Sequence, residues 1–138
     1  MKTRAGDMHT HILEQLQASG ARVTNARKQI ISVLVSAQEP LAIQDMVLRV
    51  SVDEVSVYRV VALLKKLRLV EEIIVSGIPT RYALSHGHHH HIVCGMCGHT
   101  VHIPCTKETF ASVPSHLDFD TIGEHTVTYD GVCTKCAA

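Results

Sequence analysis

Tryptophan is absent from the 138-residue chain, and tyrosine and phenylalanine contribute three and two residues. A small lobe with so few large rings has a thin core, and such lobes often need a metal or a partner subunit to fold stably. Neither sign of charge is in excess, since Lys+Arg and Asp+Glu both number 13. This argues against a bulk polyanion binder but not against a local basic patch. No apolar run reaches the roughly 18–20 residues that span a bilayer. The first residues, Met1 to His11, are polar and lack an apolar stretch of signal-peptide type. The expectation is a soluble, cytoplasmic protein, where thiols stay reduced and CxxC pairs more often hold metal than form disulfides. There is no internal repeat and no Pro/Ser-rich linker, and the five cysteines cannot all pair within one chain.

What is present is uneven. Eleven histidines are far above ordinary usage, and most follow Ser85. Before that point the chain reads as helices; after it, His, Cys, Gly and Thr alternate with short strands. The composition predicts a boundary at about 84–86, dividing residues 1–84 from 85–138. The length allows one domain or two small ones.

In the first part, Ile12, Leu13 and Leu16 predict a helix over 8–18, stopped by Gly20. Thr24 is a good N-cap for a second helix over 25–37. Ile43, Met46, Val47 and Val50 suggest a third over 42–50. The most regular segment is Glu54 to Arg68, with Val57, Val60, Val61, Leu64 and Leu67 at three- and four-residue spacing. Val70 to Val75 and Arg81 to Leu84 flank Ser76-Gly77-Ile78-Pro79 and read as a β-hairpin. Helices followed by a two-stranded hairpin give a winged-helix order, or on pattern alone a generic small helical domain. The second part predicts strands at Ile92–Cys94, Thr100–Ile103 and Thr126–Tyr129, with a helix beginning over Lys107–Ser112. The whole is an α+β chain.

Two CxxC pairs carry the strongest chemical signal. About 35 residues separate Cys94-Gly-Met-Cys97 from Cys133-Thr-Lys-Cys136. Each turn places two sulfurs on one side of a tight loop, and Gly95 and Gly98 make the first turn easy. Four thiolates suit tetrahedral zinc in a closed structural site. Redox pairs and incidental cysteines are the competing readings. The second pair lies two residues from the last residue given, where a tail would fray unless a shared metal pinned it. Cys105 is left over and receives no role.

The run His88-His89-His90-His91, preceded by His86, leads into the first pair. If it is extended, His89 and His91 share one face while His88 and His90 share the other, so one run could feed two metal sites. His102 could join either face, and Glu108 and His125 are further candidate ligands. A disordered polar His tract is the competing reading. Imidazole sets suit Zn, Ni, Cu or Fe. Binding needs neutral imidazole, so affinity should fall below about pH 6.

Taken in order, these features resemble the ferric-uptake-regulator family of metal-dependent repressors. The matching pieces run from about Gly20 to Cys136. They are Arg22-Val23-Thr24 with Arg27, Ser56-Val57-Tyr58-Arg59, Gly77 with Arg81-Tyr82, the His run into Cys94-Gly-Met-Cys97-Gly98, and the last CxxC. The resemblance implies a winged-helix N-terminal domain, a C-terminal dimerisation domain with structural zinc, a homodimer on double-stranded DNA, and repression of metal-homeostasis genes. It also implies that regulatory metal sets the arrangement of the DNA-binding lobes. By the same resemblance, Glu54–Arg68 is the major-groove helix, Tyr58 packs on thymine methyls, Arg59 grips phosphate, and Arg22 can enter the minor groove. His89 and His91 match sensing ligands, and His102 falls where a carboxylate is common. His88, His90, Glu108 and His125 match a second, variable site. The chain departs from the pattern at Ala83 and Pro40, where relatives often have ligands; His86, His9 and His11 are candidate substitutes. Fewer carboxylates and more imidazoles favour zinc over iron as effector, with iron, nickel, manganese or a peroxide-sensing use of iron as alternatives.

A zinc-dependent enzyme is the second class considered. The chain has no HExxH helix, no nucleophile–base pair, and few acids near the histidines. The expectation is therefore a binding protein without catalytic residues, with a metal buffer as a third class.

Overall fold

The computed structural model describes residues 5–85, 87–106, 116–119, 123 and 125–138. It packs as two compact units. One comprises Met1–Ile74 with Pro79–Ser85, and the other comprises Val75–Ile78 with His86–Ala138. The short Val75–Ile78 segment groups with the second unit.

The first unit contains helices α1 (Ala5–Ala18), α2 (Asn25–Ser36), α3 (Ile43–Val47) and α4 (Glu54–Lys66). Its strands are β1 (Leu41–Ala42), β2 (Val70–Ile73) and β3 (Arg81–Leu84), in the order β1-β3-β2. All pairings are antiparallel, with Leu41 opposite Tyr82 and Glu71 opposite Ala83. Helices followed by this small sheet form a winged helix. The hairpin expected from the sequence is thus three-stranded, because Leu41 and Ala42 pair with β3. That pairing takes only Ala42 from the expected 42–50 helix, which also stops at Val47, three residues early. α3 is five residues long, with the Asp45 carboxylate accepting the Ala42 N–H at 3.0 Å.

α4 shows why this unit holds together. Asp53 caps its start, accepting Ser56 N–H at 3.0 Å and the Ser56 hydroxyl at 2.5 Å. Val57, Val60, Val61 and Leu64 are buried along one stripe, and Lys65 and Lys66 lie in the last turn, where the helix dipole favours cations. The helix ends at Lys66 rather than Arg68 because Arg68 adopts φ 58°, which turns the chain so that Leu69 N–H reaches the Leu64 carbonyl at 2.9 Å. The stripe packs against Ile12, Leu16, Ile30, Ile31, Leu34 and Met46 in one continuous apolar core.

The second unit is built on β4 (His89–Cys94), β5 (Thr100–Pro104) and β6 (Thr128–Gly131), followed by a short helix α5 (Thr134–Ala137). The order is β5-β4-β6, antiparallel on one side of β4 and parallel on the other. Three of the four histidines of the run, His89–His91, open β4, which is longer than the expected 92–94 strand, and β6 begins two residues later than expected. The helix expected over 107–112 lies outside the described residues. Among the described residues, no helix is long and apolar enough to cross a membrane.

Candidate metal centres

The two CxxC pairs meet at one end of the second sheet. Cys94 closes β4, and Gly98 N–H returns to the Cys94 carbonyl at 2.8 Å to form a tight knuckle. Gly98 has φ 77°, a conformation glycine adopts without Cβ strain. A Cβ at Gly95 would stand 2.9 Å from the exposed Asp130 carboxylate, which would have to swing aside. The second pair sits at the start of α5, with Cys136 N–H bonded to the Cys133 carbonyl at 3.0 Å. The parallel register, Cys94 opposite Gly131, carries Cys133 alongside the first knuckle.

None of the five cysteines is in a disulfide. The sulfurs of Cys94, Cys97, Cys133 and Cys136 lie within 4.8 Å of one another, and Cys97 and Cys133 are 3.8 Å apart. A zinc–thiolate tetrahedron with Zn–S near 2.3 Å has an S–S edge of about 3.8 Å. The four sulfurs therefore fit the ion. Cys133 N–H donates to Cys94 Sγ at 3.4 Å. That bond and the Cys97 backbone N–H hold the Cys94 thiol down to about 6, whereas hydrogen bonds to the Cys133 and Cys97 sulfurs push Cys136 up to about 12. The cluster without metal thus retains protons that a cation must displace.

The histidines divide by strand parity. His89, His91 and His102 share one face, because His91 pairs directly with His102. Their ring nitrogens come within 4.8 Å of one another, with His89 Nε2 3.2 Å from His91 Nε2. His102 lies edgewise to His89 and tilted against His91, at centroid distances of 4.8 and 4.9 Å. For Zn–N of 2.0–2.1 Å the tetrahedral edge is about 3.3–3.4 Å, so this trio also fits an ion.

On the opposite face, His88 Nε2 lies 3.1 Å from His125 Nε2, and His90 packs against both rings. His90 is wholly buried, and desolvation holds its pKa below the ordinary value, aided by the neighbouring histidines. This keeps the ring neutral, the form that ligates metal. The fourth group here is Cys105, which the sequence reading left without a role. The signal that would have found it is the register. Ile103 pairs with His90, so position 105 follows on the same face. His86 and Glu108, both candidate ligands, lie outside the described residues. His9 is in the first unit, 3.0 Å from the Ser32 hydroxyl.

The residues expected to meet DNA lie in the first unit. Tyr58 and Arg59 are exposed on α4, off the buried stripe, while Ser56 is engaged with the Asp53 cap. Arg22 is exposed in the loop before α2. Thr24 Oγ1 accepts Arg27 N–H at 3.3 Å, and the Arg27 guanidinium donates to the Arg22 carbonyl. Thr24 and Arg27 therefore fix the loop that presents Arg22.

Comparison with known proteins agrees with this architecture. Residues 18–127 match the model of the ferric uptake regulator family. The ferric uptake regulation protein of Bacillus subtilis is 29% identical over 138 residues, covering 91% of each chain. The transcriptional regulator FurA of Mycobacterium tuberculosis is 31% identical over 133 residues, covering 90% of this chain and 88% of its own. The solved Helicobacter pylori ferric uptake regulator, described as having three functional metal-binding sites, overlays with a TM-score of 0.75 at 18% identity, covering 100% of this chain and 98% of that one. With a winged helix and a metal-ligand-rich second unit in one chain, and with family similarity over most of its length, this protein belongs to the ferric uptake regulator family of metal-responsive transcriptional regulators and is not an enzyme.

Proposed function

We propose that this regulator is a zinc-responsive, cytoplasmic repressor that acts as a homodimer on a palindromic DNA operator. The observation that carries the choice of metal is the convergence of three imidazoles, His89, His91 and His102, on one face of the second sheet. Imidazole-rich ligation suits zinc better than the hard, oxygen-preferring cations. The Cys94/Cys97/Cys133/Cys136 site holds a second zinc for structure, consistent with its sulfur spacing. Effector zinc favours the DNA-competent arrangement only by binding it more tightly than the incompetent one.

The surfaces support the remaining roles. Tyr58 supplies an apolar ring for thymine methyls, and Arg59 and Arg22 supply charge for phosphate and minor groove. In the second unit, Val101, Ile92 and Tyr129 form one cross-strand rung, with Ile92 opposite each of the others, and all three are exposed. Such an apolar rung on a sheet face is suited to a second copy of the chain, whose two-fold axis an operator would mirror.

Gel-shift titrations with Zn(II), Fe(II), Mn(II) and Ni(II) test the reading. Zinc should produce the complex at the lowest free metal, and affinity should fall steeply with salt as counterions are released. His91→Ala should abolish the metal dependence while the tightly held zinc stays bound. No complex with any metal would overturn the repressor assignment, and Fe(II), Mn(II) or Ni(II) acting below zinc would overturn the choice of effector. If Fe(II)-loaded protein loses DNA binding on peroxide treatment, with an oxygen added to His89 or His91, the chain is a peroxide sensor instead.

A further inference from the structure

We propose that Cys105 is a metal ligand, completing a mixed thiolate–imidazole site with His88, His90 and His125, and that its sulfur makes the site selective for zinc over harder divalent ions. The site is separate from the four-cysteine cluster and lies on the opposite sheet face from the His89/His91/His102 trio, so it does not depend on which ion acts as effector.

Three observations converge. The first is distance. One nitrogen of each histidine and the Cys105 sulfur lie within 4.8 Å of one another. Cys105 Sγ is 3.6 Å from His125 Nε2, and His125 Nε2 is 3.1 Å from His88 Nε2. A zinc tetrahedron with one sulfur near 2.3 Å and nitrogens near 2.0–2.1 Å has a mixed S–N edge of about 3.6 Å and an N–N edge of about 3.3–3.4 Å. Both observed separations match those edges to within a few tenths of an ångström.

The second observation is burial. His90 is 0% exposed, and among the described residues its Nε2 has no hydrogen-bond partner. Leaving a buried imidazole nitrogen unpaired is unfavourable. Its Nδ1 accepts Val127 N–H at 3.3 Å, a long contact that is readily exchanged. A cation bound within the cluster gives the ring the partner it lacks.

The third observation is topology. Cys105 follows directly on β5, His88 immediately precedes β4, His90 is its second residue, and His125 precedes β6. All three strands of the sheet therefore contribute, and an ion here would cross-link the edge of the sheet opposite the four-cysteine end. Together the two sites clamp β4 at both ends. A thiolate in the set favours zinc over manganese and other ions that prefer oxygen. Loading the ion displaces the thiol proton to solvent, leaving the thiolate bound.

Cobalt(II) is the probe, because a thiolate ligand gives it a sulfur-to-metal charge-transfer band in the near ultraviolet. Full-length protein is chelated mildly so that the tight zinc is retained, confirmed by elemental analysis, and then titrated with Co(II). Wild type should develop the band with one equivalent bound. Cys105→Ser should lose the band while keeping the tight zinc and the wild-type circular dichroism. Zinc affinity at this site should fall by more than the roughly 10–100-fold that loss of an outer-shell partner costs. His88→Ala should weaken binding yet retain the band, which separates a sulfur ligand from a merely structural cysteine. Equal bands in wild type and Cys105→Ser, or no band in either, would overturn the proposal.

Discussion

The two units use different physics to hold their folds. The first buries thirteen apolar side chains in one continuous core, from Ile12 to Val70. In the second, the buried side chains among the described residues are Val75, Val93 and Cys94, together with the polar His90, His91 and Thr100. Three of these six are polar, a fourth (Cys94) is ionisable, and Cys94, His90 and His91 belong to the metal-ligand clusters. Among the described residues, that interior offers little apolar surface for hydrophobic transfer, worth about 25 cal/mol per Å², and much of it consists of candidate metal ligands. The contrast predicts that the first unit holds its fold without metal and that the second depends on the ions its clusters bind.

The largest expected break of that contrast comes from removing the structural ion. Structural zinc contributes apparent energies of about 10–16 kcal/mol in small peptides, comparable to the whole stability of an ordinary domain. Cys97→Ser, or chelation strong enough to strip all zinc, should unfold the second unit and leave the first intact. Hydrogen-exchange mass spectrometry should show protection lost over β4, β5 and β6 and retained over α1, α2 and α4. Persistent protection of β4 in protein shown to be zinc-free would mean the two units are not differently held.

The reciprocal experiment is smaller. Leu64 is completely buried in the first core. Leu64→Ala should cost about 2–5 kcal/mol through lost transfer energy and the cavity left behind. A urea titration followed by far-ultraviolet circular dichroism should show the shift, with zinc stoichiometry unchanged. Loss of bound zinc alongside the first unit would show that the second depends on the first for more than attachment.

The same contrast explains what could be read from the chain. The α4 stripe was legible because burial of Val57, Val60, Val61 and Leu64 imposes a helical period on one segment. The cysteine pairs were legible because a thiolate zinc site needs two tight turns, and each turn is local. The alternation of His88 and His90 against His89 and His91 needed only that the run be extended. What escaped was non-local or very short. β1 has two residues, too few for any alternation, and exists because β3 offers it a partner. Arg68 ends α4 by adopting a left-handed conformation that carries no mark in an arginine. Cys105 joins His90 through the pairing of β4 with β5, and no property of either segment alone fixes that register.

The smallest effect expected sharpens the comparison from the side of pH. Asp53 is exposed, and its pKa is lowered from 3.8 by the Ser56 hydroxyl first and the Ser56 backbone N–H next. A depressed native pKa means that the capping contribution is complete above the unfolded value and is lost as pH falls through the lower native one. The first unit should therefore weaken in acid below about pH 4 through this carboxylate, with its zinc-free core otherwise indifferent. Asp53→Asn keeps a capping acceptor, so stability near neutral pH should change little. The variant should, however, flatten the acid limb of the stability curve for α4, measured by exchange protection between pH 3 and 5. The second unit should fail at higher pH in both proteins, because protons compete with zinc for sulfur and imidazole well before Asp53 titrates. If the first unit loses protection before the second as acid is added, the assignment of one unit to hydrophobic burial and the other to metal has the order reversed.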